Sequence, residues 1–373
     1  MEIEEGVKGD QEVAVNPHEP RTRRDRWATR HRRLRAISED ARPDQDQVSR
    51  ATKALKKVYE DGGRSLTHVV VRRSFITRRE PARGEMSDRR PPRGQDPPAL
   101  EIASPRGIAL QLELVALFVA QVQSERHKDG RVTFGLDLDT TDAGATDWID
   151  LVVPHTDSSP LTAYASSRRD DRLRQLKRAL DSLAVKSLVD LPNVGRARGK
   201  YEGFRLLDEG GERSTGLPLP YRVPKPQEHV VDIPIDFFLQ GWVYVLTPSE
   251  TALWLMLRDL RQQRLRRSGD STVVVNGDTR LRIYGVKKDA YKEWWLLNLA
   301  GLLDVQIDSK RRDDGTVVDF DPADPPSPHR FNLTDDGVRK PAAAAVKGAL
   351  TRALSGEPIG VARAHAVSGL PSP

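Results

Sequence analysis

Hydrophobic positions along the chain fall into blocks of helical and strand period separated by polar, glycine- and proline-rich stretches. From Asp46 onward, Val48, Ala51, Leu55, Val58 and Tyr59 recur at helical spacing, and Gly62-Gly63 predicts where that helix stops. Residues 66–77 (LTHVVVRRSFIT) are rich in β-branched side chains and predict a strand. Two longer helices are predicted at 108–123 and 248–267. The second opens with Thr247-Pro248-Ser249-Glu250, a capping box with proline at the first helical position. Their apolar residues (Leu112, Val115, Leu117, Phe118, Val119 and Val122; Ala252, Leu253, Leu255, Met256, Leu257 and Leu260) cover more than one face, so each helix should be packed on two sides.

Each of these helices opens a segment with the same layout. A polar stretch of strand character follows (132–138 and 148–153 in the first, 272–275 and 279–284 in the second), then a second helix at about 170–186 or 287–301. A short apolar run comes next, 188–191 or 302–307. A basic loop, GRARGK at 195–200 or SKRRDDG at 309–315, leads into a returning strand. The first segment closes on Phe204-Arg-Leu-Leu-Asp-Glu-Gly210 and the second on Phe331-Asn-Leu-Thr-Asp-Asp-Gly337. Both fit F-x-L-x-D-[D/E]-G at the same place, which points to an internal duplication. Around the pair lie a basic arm at 1–43, expected to be disordered, and a helix–strand element at 44–80. A proline-rich linker is expected at 81–99, and an Ala/Pro-rich tail at 341–373, at best a short helix and loose chain.

Composition narrows the chemistry. The 373 residues contain no cysteine, which excludes disulfides, zinc–thiolate sites, iron–sulfur clusters and thiol nucleophiles. No run approaches the length of a membrane span and no secretory signal is present, so a cytoplasmic, nucleoid-associated location is expected and no membrane partner. Net charge is +6, and residues 1–100, with 23 basic against 17 acidic side chains, account for all of it. The stretch 21–35 (RTRRDRWATRHRRLR) holds eight arginines and one acid. A basic arm on a neutral body suggests a polyanionic partner, nucleic acid ahead of an anionic membrane surface.

A helix, a short β-element, a second helix and a hairpin with a basic tip resemble a winged-helix domain. In the second segment, Tyr284-Gly-Val-Lys-Lys-Asp-Ala-Tyr291 followed by Leu297-Asn-Leu-Ala-Gly-Leu-Leu303 is similar to the turn, recognition helix and glycine stop of that family. The resemblance extends over 223–340. It is looser over 100–222, where Ala184-Val185-Lys186-Ser187-Leu188 stands in place of the glycine stop. It implies an α+β fold of two tandem winged-helix domains, 100–222 and 223–340. The tandem arrangement resembles plasmid replication initiators of the iteron-binding kind, and the partner implied is double-stranded DNA. Transcription regulators and DNA-organising factors share the arrangement, and a protein-interaction scaffold is a further alternative.

The residues themselves suggest where contact would occur. In the helix from about Asp170, Leu173, Leu176, Leu180 and Leu183 share one face. Arg174 and Arg178 lie opposite, with Lys177 at the edge and Arg168 and Arg169 at the start. Guanidinium forks on such a helix suit guanine edges in a major groove, although a charged stripe is more often a solvated face. In the second segment Ala290, Trp294, Leu297 and Gly301 fall on one face; Lys288, Lys292 and Trp295 fall opposite, and Lys287 precedes them. Trp295 is the expected point of interdomain packing or of a homodimer contact. Arg196, Arg198 and Lys200 in the first hairpin, and Lys310, Arg311 and Arg312 in the second, are placed to grip phosphates and fix register. An ordinary surface hairpin is the competing account.

Enzymatic signatures are missing from the sequence. The eight histidines have no metal-ligand spacing and no His-apolar-His pair occurs. The run Asp137-Leu-Asp139-Thr-Thr-Asp142 fails as a calcium loop, with Asp142 where glycine and Trp148 where glutamate is required. Gly199-Lys200 lacks the upstream glycine and the following Ser/Thr of a phosphate-binding loop. No cofactor and no catalytic activity are expected.

Overall fold

The computed structural model describes residues 21–39, 47–63, 65–84, 96–103, 107–123, 132, 134–140, 142, 144–154, 168–196, 198–211, 217–225, 227–311, 317–318, 320–324, 326–355 and 362–363. The fold is mixed α+β. It opens with helices α1 (Arg21–Glu39) and α2 (Gln47–Gly62), strand β1 (His68–Arg72) and the short helices α3 (Arg73–Ile76) and α4 (Pro98–Glu101). The first segment contributes α5 (Ala109–Val122), α6 (Arg168–Val185), β2 (Val189–Asp190) and β3 (Arg205–Leu206). Then come β4 (Val230–Pro234), α7 (Asp236–Leu239) and α8 (Trp242–Val245). The second segment contributes α9 (Pro248–Ser268), β5 (Val273–Val274), a π-helical turn (Thr279–Ile283), α10 (Lys288–Tyr291), α11 (Trp294–Leu299), β6 (Leu303–Ile307) and β7 (Arg330–Leu333). Helices α12 (Asp335–Val338) and α13 (Ala342–Leu354) and strand β8 (Ala362–Arg363) end the described chain.

Local signals in the sequence are realised at the helix ends. Thr247 accepts the Glu250 N–H and Glu250 accepts the Thr247 N–H, closing the predicted capping box, and Gly269 ends α9 at φ 72°. Gly63 follows α2 at φ 69°. Helix α5 buries every residue but Gln111, with Glu113 enclosed among its leucines and valines.

The two segments correspond residue by residue where helix meets hairpin. After α6 the Leu188 N–H donates to Leu183 O (3.0 Å); after α11 the Leu302 N–H donates to Leu297 O (2.8 Å). That bond needs a left-handed residue, supplied by Gly301 at φ 81° and by Ser187 at φ 55°. Ser187 therefore occupies the stop that glycine fills in the other copy, although serine disfavours that conformation. Leu207 N–H then bonds Leu188 O, as Thr334 N–H bonds Leu302 O. The hairpins share register, Val189 opposite Leu206 and Leu303 opposite Leu333. A Cβ on Gly337 would lie 1.8 Å from Gly301 O, so only glycine fits the end of the second motif. The acids of both motifs hold arginines: Asp208 and Glu209 face Arg72, and Asp335 faces Arg258 and Arg261.

Four expectations are corrected. The stretch 279–284 is a π-helical turn rather than a strand, because Asn276 captures the Thr279 N–H (2.6 Å) and the Arg280 side chain folds back to Val286 O (2.5 Å). Residues 132–138 and 148–153 form no strand among the described positions. Asp147 accepts the N–H groups of Thr140 and Asp150 (both 3.0 Å), and that turn sinks Trp148, Ile149 and Leu151 into the core. The strand expected at 66–77 stops at Arg72, whose N–H is taken by Glu209 Oε1 (2.8 Å), and α3 follows. The second helix of the second segment breaks between α10 and α11.

The flanking regions also differ from expectation. β1 pairs antiparallel with β4, Val70 opposite Asp232, which joins 44–80 to the second segment. Buried side chains from Ala51 to Leu350 form one continuous cluster. The arm, expected to be disordered, is helical over Arg21–Glu39 and packs on α13, with Leu34 and Ile37 against the core; residues 1–20 and 40–43 lie outside the described residues. Of the linker, 85–95 lie outside them too, and α4 occupies its end. Of the tail, 356–361 and 364–373 lie outside the described residues, and α13 is structural. Ala342, Val346, Ala349 and Leu350 of α13 are fully buried, and Ala342 N–H bonds Gln240 O (3.0 Å). Leu350→Ala should therefore lower unfolding free energy by about 2–5 kcal/mol in urea titrations. A change within about 0.5 kcal/mol, normal for an exposed site, would return this segment to a loose tail.

Candidate nucleic-acid interface

Helix α6 buries Leu176, Ala179, Leu180 and Leu183 and leaves Leu173 half-buried, so its inner face is the one the spacing predicts. Arg174 and Arg178 are exposed on the opposite side. Arg174 pairs with Asp171, one turn back; Arg178 makes no hydrogen bond or ion pair with any described residue. The first hairpin folds against this helix through Tyr201. Its hydroxyl donates to Asp181 Oδ2 (2.8 Å), Lys200 Nζ donates to Asp181 Oδ1 (2.6 Å), and the Lys177 and Lys200 ammonium groups lie 5.9 and 4.8 Å from the ring centroid. The Asp181 hydrogen bond raises the Lys200 pKa, and burial beside Asp181 raises that of Tyr201, so one stays cationic and the other stays protonated. Arg174, Lys177, Arg178 and Tyr201, with Asp170, Leu173 and Asp181, line an open groove of about 400 Å³.

The hairpin tip extends the same positive surface. Arg196 and Arg198 are exposed between Gly195 and Gly199, both in left-handed backbone (φ 91° and 73°). Asn193 Nδ2 ties the loop to Glu202 O (3.0 Å). Six of the predicted side chains (Arg174, Lys177, Arg178, Arg196, Arg198 and Lys200) thus come from one helix and the hairpin beside it.

Two residues at the start of α6 behave differently. Arg169 binds Asp139 (Nε–Oδ1, 2.9 Å), Asp147 and Thr140 O (3.1 Å), and the bonds to Asp139 and Asp147 raise its pKa against the effect of burial. It clamps Asp139, Thr140 and Asp147 to α6, which leaves it unsuited to a base edge. Arg168 is the first residue of the helix.

In the second segment Lys287, at the N-cap of α10, and Lys288, its first residue, are exposed, and Lys292 is partly buried after it. Trp294 and Leu297 are buried, as their face predicts. Lys310 pairs with Asp324, and Arg311 donates to Ser327 O (2.9 Å) and Pro326 O (3.3 Å), so both hold the hairpin together. Arg312 lies outside the described residues. Trp295, the expected contact point between segments or copies, carries the Arg30 guanidinium of α1 3.8 Å from its ring centroid.

Sequence reasoning missed Tyr201 as the organiser of the groove, although it directly follows the basic run GRARGK. It also missed the docking of α1, for which the sequence signal was the pair Leu34 and Ile37 in an arginine-rich run. Among the described residues, no helix is long and apolar enough to cross a membrane. Compared with known proteins, the chain matches no family model, no curated protein and no solved structure.

Proposed function

We propose that this chain binds specific double-stranded DNA through two winged-helix units, with α6 and α10–α11 as recognition helices, and acts in replication initiation on a plasmid or phage. The observation that carries the reading is the α6 surface: exposed Arg174 and Arg178 beside Lys177 and Lys200, continued by Arg196 and Arg198 at the hairpin tip. An arginine-bearing helix fits a major groove and reads guanine through paired N–H donors. Basic hairpin tips beside it suit the flanking phosphates. The second segment supports the same reading by its connectivity. Helix α9, β5, the π-turn, the α10–α11 pair and the β6–β7 hairpin follow one another, with β7 between β5 and β6, which is the order of a winged helix. Two unlike units on one chain fit an asymmetric site or direct repeats better than the palindromes matched by two-fold dimers, which favours an initiator over a dimeric regulator.

The test is retardation of duplex DNA in EDTA, where a protein of this kind shifts a selected sequence and leaves it uncut after long incubation with Mg²⁺. The Lys288→Ala, Lys292→Ala double variant should weaken binding and flatten its salt dependence by about two counterions. Unchanged binding would remove α10–α11 from the interface. Metal-dependent nicking lost in Asp137→Ala, Asp139→Ala would overturn the reading in favour of a nuclease, since such chemistry needs a carboxylate-held metal.

A further inference from the structure

We infer that α1 is a latch across the outer face of α10–α11, closed in the free protein and opened when duplex DNA draws it away; this rests on the reading of α10–α11 as a DNA-facing helix. Arg30, Arg33, Leu34 and Ile37 of α1 lie at i, i+3, i+4 and i+7 and turn toward the body, whereas Arg32 and Arg35 are exposed. Two of these inward groups are arginines with built partners. The Arg30 guanidinium stacks on Trp295, 3.8 Å from the ring centroid. Arg33 forks onto both oxygens of Glu250 (2.6 and 2.8 Å) and donates to Val245 O (2.6 Å). Glu250 is buried and already closes the α9 capping box, so Arg33 supplies the charge that this carboxylate needs inside the fold.

Placement makes the contact more than a tether. Lys288, Lys292 and Trp295 recur at i, i+4 and i+7, and across the break between α10 and α11 the backbone keeps the right-handed region at Lys292 (φ −65°, ψ −14°) and Glu293 (φ −69°, ψ −3°). They therefore share one face, the face opposite buried Trp294 and Leu297. Helix α1 covers its Trp295 end and leaves Lys287 and Lys288 exposed. A B-form major groove is about 12 Å wide and a helix with side chains about 10–12 Å across, so the groove admits one helix and not two stacked together. With α1 in place, only the lysine end of the face can approach a duplex. The occluding helix is itself rich in arginine, so phosphates that approach the lysines also compete for it.

Hydrogen–deuterium exchange of residues 28–37 in the full chain, free and with a saturating 30-base-pair duplex, tests the latch. The free protein should protect this helix, and bound duplex should speed its exchange about 10-fold or more. Binding that leaves 28–37 as protected as before, or more so, overturns the latch while the DNA reading stands. Failure of every duplex to bind, seen in the binding isotherm itself, overturns both. Arg30→Ala and Arg32→Ala remove the same charge from the inner and outer sides. If the latch holds, Arg30→Ala speeds exchange in the free protein and binds duplex about three-fold or more tighter than Arg32→Ala, against the equal loss that charge alone would give. Equal affinities for the two variants would sink it.

Discussion

Replacing Arg174 and Arg178 together with alanine should lower affinity for the preferred duplex by about 30-fold or more, because each lost base contact is worth about 1–3 kcal/mol. The variant should melt within a few degrees of the parent. Both side chains are exposed, Arg178 pairs with nothing described, and an exposed i, i+3 pair such as Arg174–Asp171 contributes little to stability. Fluorescence anisotropy at one fixed salt concentration, with a selected and a scrambled duplex, reads the effect. A loss confined to the selected sequence assigns the two forks to bases. An equal loss on both duplexes would reassign them to phosphates, and no loss at all would remove α6 from the interface.

Arg72→Ala should lower unfolding free energy by about 3–5 kcal/mol, since removing one partner strands a buried charge. Arg72 Nη1 lies 2.6 Å from Glu209 Oε2, its Nε lies 2.9 Å from Glu228, and Glu209 is fully buried. The loss should also depend on pH. Burial pushes the Glu209 carboxyl up from 4.5 to about 7, even with Arg72 acting in the opposite direction. Between those values the unfolded chain has released this proton while the folded chain keeps it, so the carboxyl withdraws stability as pH rises through that window. Without Arg72 the folded value climbs and the window extends upward. Urea unfolding should therefore show a smaller deficit for Arg72→Ala at pH 5, where Glu209 is a neutral acid in either protein, than at pH 8. Equal deficits at the two values would mean that Glu209 stays ionised throughout and that burial does not dominate.

Glu113 shows how far such effects lie from sequence patterns. In the run ALQLELVALFV it reads as a polar position on a helix packed on two sides. Every residue of helix α5 but Gln111 is buried, neither Glu113 carboxyl oxygen has a hydrogen-bond partner among the described residues, and burial together with nearby Glu209 holds its pKa well above the carboxylate range. The facing elements, and not the spacing along α5, decided that this acid is held neutral.

What the sequence determined by itself was whatever a few consecutive residues settle through their own backbone bonds. The Thr247–Glu250 box started α9, Gly63 and Gly301 marked helix ends, and the leucine spacing of α6 chose its inner face. The repeated F-x-L-x-D-[D/E]-G motif pointed to two related segments, which agree in helix stop and strand register even where serine replaces glycine. Tertiary structure decided what each charge does, because the partner of a charge need not be near in sequence. Arg33 meets Glu250 across 217 positions and Arg72 meets Glu209 across 137. Arg169, Lys310 and Arg311 are held by the fold, while Arg178, Arg196 and Arg198 point outward on exposed positions of the same basic composition. The arm and the tail belonged to this second class as well. A short apolar stripe, Leu34 with Ile37 or Val346 with Leu350, gains stability only when another surface covers it, and local sequence does not specify that surface.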